Sequence, residues 1–242
     1  MRARVIWGAV VAASVAAVLT GCGAPSGSPE TPTASEEPDA GSDVAAAWLD
    51  DGRGIGVVTY GSSSCEPSLV AADLHIGSLT VDLADPEDAV CTADYAPRAT
   101  YVPAPEGVDP SADLLVVVEG DYSGEVTLES DARLSGMPGD PTDYAPSAGW
   151  AGRGMLVILT WGSSGCPPVV ESAAATGESE VTVTFETPPD DQVCTMDMAP
   201  RTTIATVDGP ENPTGATLVL IGERSDVVEL PIAGTLGKED GR

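Results

Sequence analysis

Aromatic rings are scarce in this chain of 242 residues, which has one Phe, four Trp and five Tyr. Its core must therefore be built mainly from aliphatic side chains, and rings that could bind sugars are few, with Trp48, Trp150, Trp161, Tyr60 and Tyr144 as candidates better read as core pieces. Histidine is scarcer still. His75 stands alone, and a nucleophilic serine needs a base within hydrogen-bond reach, usually His. G-x-S-x-G is also missing, so the serine-rich turns at 62–64 and 163–164 read as turns, and no enzyme is expected. Without C-x-x-C, and with one His, zinc has no ligand set. EF-hand spacing is absent too. No metal or cofactor is expected, although acids before the second cysteine of each pair described below (Asp82, Asp85, Glu87, Asp88; Glu186, Asp190, Asp191) leave calcium as an alternative. Positive charge is the remaining shortage: 10 Lys and Arg face 38 Asp and Glu, a net charge of −28. Such a surface repels phosphate backbones and excludes nucleic acid as a partner.

What is present begins with Arg2 and Arg4, a run of mostly apolar residues from Val5 to Leu19, and then Leu19-Thr20-Gly21-Cys22. A basic start, a short apolar stretch and small residues before a cysteine have the order of an export signal. The run is shorter than the roughly 20 residues that a membrane-crossing helix needs. By this L-T-G-C box the chain resembles bacterial lipoproteins, and its Ala- and Gly-rich, Lys-poor composition is similar to that of high-GC bacteria. The resemblance covers the first 22 residues. It implies a signal peptide at 1–21, cleavage before Cys22, and a diacylglyceryl group on that thiol. The expected location is the extracytoplasmic face of the cell membrane, held through the Cys22 lipid. Removing residues 1–21 takes away two arginines and no acid, leaving 8 basic against 38 acidic side chains and a net charge of −30. Residues 23–43 are Pro, Ser, Thr, Gly, Ala and acid with no large apolar side chain, so 22–43 is expected to be a lipidated, disordered tether.

The rest of the chain contains one pattern twice. Tyr60-Gly61-Ser62-Ser63-Ser64-Cys65 leads to Cys91-Thr92-Ala93-Asp94-Tyr95-Ala96-Pro97-Arg98, and Trp161-Gly162-Ser163-Ser164-Gly165-Cys166 leads to Cys194-Thr195-Met196-Asp197-Met198-Ala199-Pro200-Arg201. Trp48 and Gly52-Arg53-Gly54 are echoed by Trp150 and Gly152-Arg153-Gly154. A period near 100 residues marks a duplicated domain, since solenoid repeats run about 20 to 50. Alternation such as Leu79, Val81, Leu83 and Val181, Val183, Phe185, set between Gly, Pro and Ser clusters, is that of half-buried strands. The expected fold is all-β: two tandem disulfide-linked β-sandwich domains of Ig-like size, at 44–130 and 148–235, with about six strands each. A linker at 131–147 joins them and a tail follows at 236–242. A single pseudo-symmetric barrel made from both halves is the alternative.

With Cys22 set aside, two cysteines remain per copy. Export into an oxidising compartment and recurrence at like positions favour Cys65 with Cys91 and Cys166 with Cys194. Arg98 and Arg201 each follow an aspartate by four residues, so Asp94–Arg98 and Asp197–Arg201 are expected to form bidentate ion pairs, with an anion held by the arginine fork as the alternative. Duplicated β modules without a catalytic constellation point to a non-catalytic binding or scaffolding role toward an envelope protein or extracellular ligand. Capture of a small ligand or calcium between the domains is the second reading, and an envelope hydrolase the third.

Overall fold

The alternating runs form strands whose apolar residues face inward. Leu79, Val81 and Leu83 are fully buried while Thr80 and Asp82 are half-exposed, and Val181, Val183 and Phe185 repeat the pattern. The computed structural model describes residues 43–208, 215–222 and 226–234. Cys22, the export signal, nearly all of the tether and the 236–242 tail lie outside the described residues. The fold is all-β. The first copy contains β1 (Val44–Leu49), β2 (Gly54–Gly61), β3 (Ser68–His75), β4 (Ser78–Ala84), β5 (Ala96–Pro103), β6 (Leu114–Gly120) and β7 (Gly124–Leu128). The second contains β8 (Ser147–Gly152), β9 (Met155–Gly162), β10 (Val170–Gly177), β11 (Glu180–Phe185), β12 (Ala199–Thr206), β13 (Thr217–Ile221) and β14 (Val227–Ala233). Seven described strands per copy exceed the expected six. Ala-rich β3 and β10 have little β propensity of their own and become strands by pairing with β4 and β11.

Each copy is a two-sheet sandwich with its own core. In the first, a sheet ordered β1-β2-β5 covers a sheet ordered β3-β4-β6-β7, in which β4 and β6 run parallel because the chain crosses to β5 between them. Trp48, Ile55, Val57 and Val102 meet Leu79, Val81, Leu83, Val116 and Val118 between the layers. The second copy repeats this with β8-β9-β12 over β10-β11-β13-β14, and Trp150, Leu156 and Ile158 pack on Val181, Val183, Phe185 and Leu218. There β14 also pairs with β8 through Ile232 and Ala233, which joins the two sheets into one of seven strands. The barrel alternative is not formed, because each copy closes a separate core.

The two three-stranded sheets are apolar on both faces, and their outer faces pack on each other. Ala47, Leu49, Val58 and Ala99 of the first copy meet Ala151, Val157 and Leu159 of the second, with Tyr101, Met155 and Ile204 around them. The layers therefore stack in the order four-, three-, three- and four-stranded sheet. Matched residues touch across the seam. A Cβ built on Gly149 lies 3.1 Å from Ala47 Cβ, and one on Gly56 lies 2.9 Å from Val157 Cγ1. Thr202 Oγ1 donates to the carbonyl of its counterpart Ala99. A position that meets its own counterpart lies on a local twofold axis. The backbone N–H of Asp50, just past the end of β1, donates to Ser147 Oγ at the start of β8 (2.8 Å), so the paired strands run in opposite senses and the two disulfide ends point away from each other.

The 131–147 linker is fixed at both ends by tryptophans. Trp48 Nε1 donates to the Glu129 carbonyl (2.8 Å) and Trp161 Nε1 to that of Ala145 (3.2 Å). Between them, Ser135 donates twice to the Asp51 carboxylate, from N at 3.1 Å and Oγ at 2.7 Å. Asp50 and Asp51 hold left-handed backbone at φ 50° and 56°, a conformation Asp tolerates better than most residues, and it aims both carboxylates at their partners.

Candidate functional site

Both expected disulfides are present, with Cα atoms 5.5 Å apart for Cys65–Cys91 and 5.6 Å for Cys166–Cys194. Each staples the loop leaving β2 or β9 to the loop entering β5 or β12. The serine turns and the C-T-x-D segments meet here in a repeated clasp. In the first copy Ser62 Oγ and Thr92 Oγ1 lie 2.8 Å apart, the Ser63 N–H donates to Asp94 Oδ1 (3.1 Å), and the Thr92 hydroxyl donates to the same oxygen. In the second, Ser163 Oγ and Thr195 Oγ1 are 2.7 Å apart, the Ser164 N–H donates to Asp197 (3.2 Å), and Thr195 again donates to the carboxylate. Bonds from Ser63 and then Thr92 hold Asp94 well below the usual carboxylate range, and Ser164 and then Thr195 lower Asp197 to about 2.

These contacts correct the expected Asp94–Arg98 and Asp197–Arg201 pairs, which do not form. The aspartates are taken by the serine turns, and the arginines turn inward to backbone carbonyls at the end of β9 and in the cysteine loops. Arg98 Nη1 donates to the Ser62 and Cys65 carbonyls, both at 2.7 Å. Arg201 Nη1 donates to Cys166 O (2.9 Å) and its Nη2 to Trp161 O (3.3 Å). The guanidinium therefore closes a loop of backbone.

The two ends differ in what lies over the arginine. In the first copy Tyr122, from the β6–β7 turn, covers it: Arg98 Nη2 donates to the phenol oxygen (2.7 Å), the ring centroid is 5.3 Å from Arg98 Cζ, and the phenol donates to Asp85 Oδ1. Burial, with the Asp85 bond second, raises the Tyr122 pKa. Arg98 is 5% exposed. Tyr95 also folds over this end, stacked on Tyr60 at 5.4 Å between centroids. In the second copy's sequence Gly222-Glu223-Arg224-Ser225-Asp226 stands where the first has the Tyr122 segment, with residues 223–225 outside the described residues, and Met198 stands where it has Tyr95. A cavity of about 520 Å³ adjoins Arg201, walled by Pro167, Pro168, Pro188, Val169 and Thr187. Around Cys194 on the same loop, Val193 and Met196 stand 92% and 105% exposed, with Met198 at 61%.

No family model, curated protein or solved structure matches the chain. The site is therefore read from its own geometry.

A second cavity, of about 240 Å³, lies at the rim of the seam among Trp48, Leu134, Pro146 and Ile232. Its arginines are paired: Arg53 with Asp50 and Asp143, both at 2.9 Å, and Arg133 with Asp131 at 2.6 Å. The middle of the seam is filled with side chains, and this rim cavity, lined by residues of both copies, is space that the packing leaves between them. Among the described residues no group of three or more Asp, Glu, His or Cys converges as a metal site.

Tyr122 and its role over Arg98 escaped the sequence reading, which followed positions the copies share. The signal lay in a sequence difference between the copies, Tyr122 in the first against Arg224 in the second.

Proposed function

We propose that this chain is an extracytoplasmic lipoprotein, held to the membrane through Cys22, whose double sandwich is a non-catalytic binding module. Its partner-binding face is the disulfide end of the second copy. The observation that carries this reading is the exposure of Val193, Met196 and Met198 on a loop that a disulfide and the Asp197 clasp hold in place. Apolar side chains held out in water on a stapled loop cost solvation unless a partner covers them, and methionine adapts its shape to what it meets. The tether, by its composition, would let the module reach away from the membrane by up to ~70 Å when fully extended. Clustered acids such as Glu186, Asp190 and Asp191 beside the loop favour a partner surface with positive charge.

The anchor is tested by Cys22→Ser, which is expected to release the chain into the medium or leave it as unprocessed precursor. Membrane-bound, cleaved material would count against it. Binding is tested by chemical crosslinking from envelope extract with the disulfide-intact chain as bait and a reduced, unfolded bait as control. A recurrent partner that depends on the intact disulfides is expected, and equal recovery with both baits would contradict the reading.

A further inference from the structure

We infer that Met196 and Met198 form a modification site, at which hydrogen peroxide converts both thioethers to sulfoxides and so releases the partner. The site regulates the face named in the binding-module reading and rests on that reading.

The cysteines leave methionine as the sulfur open to oxidation. Cys65–Cys91 and Cys166–Cys194 are already disulfides, and Cys22 is the proposed lipid anchor. Of the five methionines, Met1 lies outside the described residues, Met155 packs in the seam, and Met137 stands on the linker. The other two flank Asp197 on one loop, 105% and 61% exposed. In the first copy Ala93 and Tyr95 hold those places, so only the second copy's disulfide loop carries thioethers. The disulfide and the Asp197 clasp fix the backbone beside them, and neither methionine belongs to a core cluster. Oxidation there changes the surface and leaves the fold. At Met155 it would put a polar oxygen into the seam.

The step is an oxygen-atom transfer. A sulfur lone pair takes one oxygen of the peroxide, the O–O bond breaks, and the departing hydroxide removes the proton of the transferred hydroxyl as water. Sulfur loses two electrons and the peroxide gains them. Two flexible apolar side chains become polar ones, and a partner surface that covers apolar groups loses its hold on them. The net charge of −28, with Glu186, Asp190 and Asp191 shortly before the loop, repels anionic oxidants such as hypochlorite but not neutral hydrogen peroxide. Methionine sulfoxide reductases reverse the change.

The test treats the full-length chain in detergent with hydrogen peroxide, maps oxidation by peptide mass, and uses the treated chain as bait in envelope extract. Met196 and Met198 are expected to oxidise roughly tenfold faster than Met155, with both disulfides intact and thermal melting unchanged. Treated wild type should lose most of its disulfide-dependent partner. Met196→Leu with Met198→Leu keeps the face apolar and should capture it both before and after treatment, whereas Met196→Gln with Met198→Gln, polar like the sulfoxide, should fail without oxidant. Met137→Leu should behave as wild type. Oxidation of Met155 as fast as that of the exposed pair overturns the assignment. So does full capture by treated wild type or by the glutamine variant, or loss of capture by the treated leucine variant. In those cases capture by the untreated chain leaves the binding module standing. If the untreated chain captures no partner, the binding-module reading falls and the switch falls with it.

Discussion

The buried guanidinium of Arg98 and the partly covered one of Arg201 hold the same backbone loop at two levels of completeness. Arg98 serves two carbonyls and a phenol, whereas Arg201 serves two carbonyls, one of them at 3.3 Å. Stranding a buried acceptor costs roughly 1–3 kcal/mol. Arg98→Ala should therefore destabilise the protein by about 3 kcal/mol or more, and Arg201→Ala by less, as measured by chemical denaturation. Equal losses would mean that the Tyr122 cap contributes nothing. The clasps answer to acid instead. Asp94 and Asp197 have folded pKa values below the ordinary value, with Asp197 at about 2, so their contribution is whole above the unfolded pKa of about 4 and is lost as pH falls toward the folded value. Melts between pH 5 and 2 should show the wild type losing stability more steeply than Asp197→Asn. Spacing in the sequence brought these residues to attention, yet it pointed them at each other. An aspartate four positions before an arginine is close along the chain, but the serine turn's free N–H groups are closer in space.

Among the elements, β2 and β9 decide the architecture because they are buried on both faces. Their near-continuous apolar runs, Ile55 to Val58 and Leu156 to Leu159, differ from the clean alternation of β4 and β11, and that difference separates inner layers from outer ones. The strands and the duplication were legible from these runs. The face-to-face seam was not, since a run buried on both sides does not say what covers its second face. Glycine sets how close the layers come. A Cβ on Gly149 would sit 2.3 Å from the Trp48 carbonyl, which the β1–β2 ladder holds in place, whereas one on Gly56 would meet side-chain atoms of Leu49 and Val157 at 2.8 and 2.9 Å. Gly149→Ala should lower stability by roughly 1–3 kcal/mol, more than Gly56→Ala, because side chains can move aside and backbone cannot. Thermal melts of the two variants check the order, and a harmless Gly149→Ala would mean the sheets lie farther apart.

At the scale of the whole molecule, two copies of one sandwich are packed back to back about a local twofold, strapped by a linker, with their disulfide ends at opposite poles. At one pole Tyr122 covers the arginine and Tyr95 stacks on Tyr60, while Val90 and Tyr95 remain exposed. The other exposes Val193, Met196 and Met198 beside an open cavity. Under the proposed binding role, duplication followed by divergence at one pole would let a single chain keep one half for stability and offer the other to a partner. The tandem sandwiches could be read from the repeat, while the inequality of the poles depends on which residues face the arginine in space. The most direct measurement of the proposed binding pole is capture from envelope extract by three baits: wild type, Val193→Asp with Met196→Asp, and Val90→Asp at the opposite pole. Val90 and Val193 are both almost fully exposed, so none of these changes should disturb folding. Capture is expected to persist with Val90→Asp and to disappear with the double variant. Loss with Val90→Asp and retention with the double variant would place binding at the wrong pole and contradict the account.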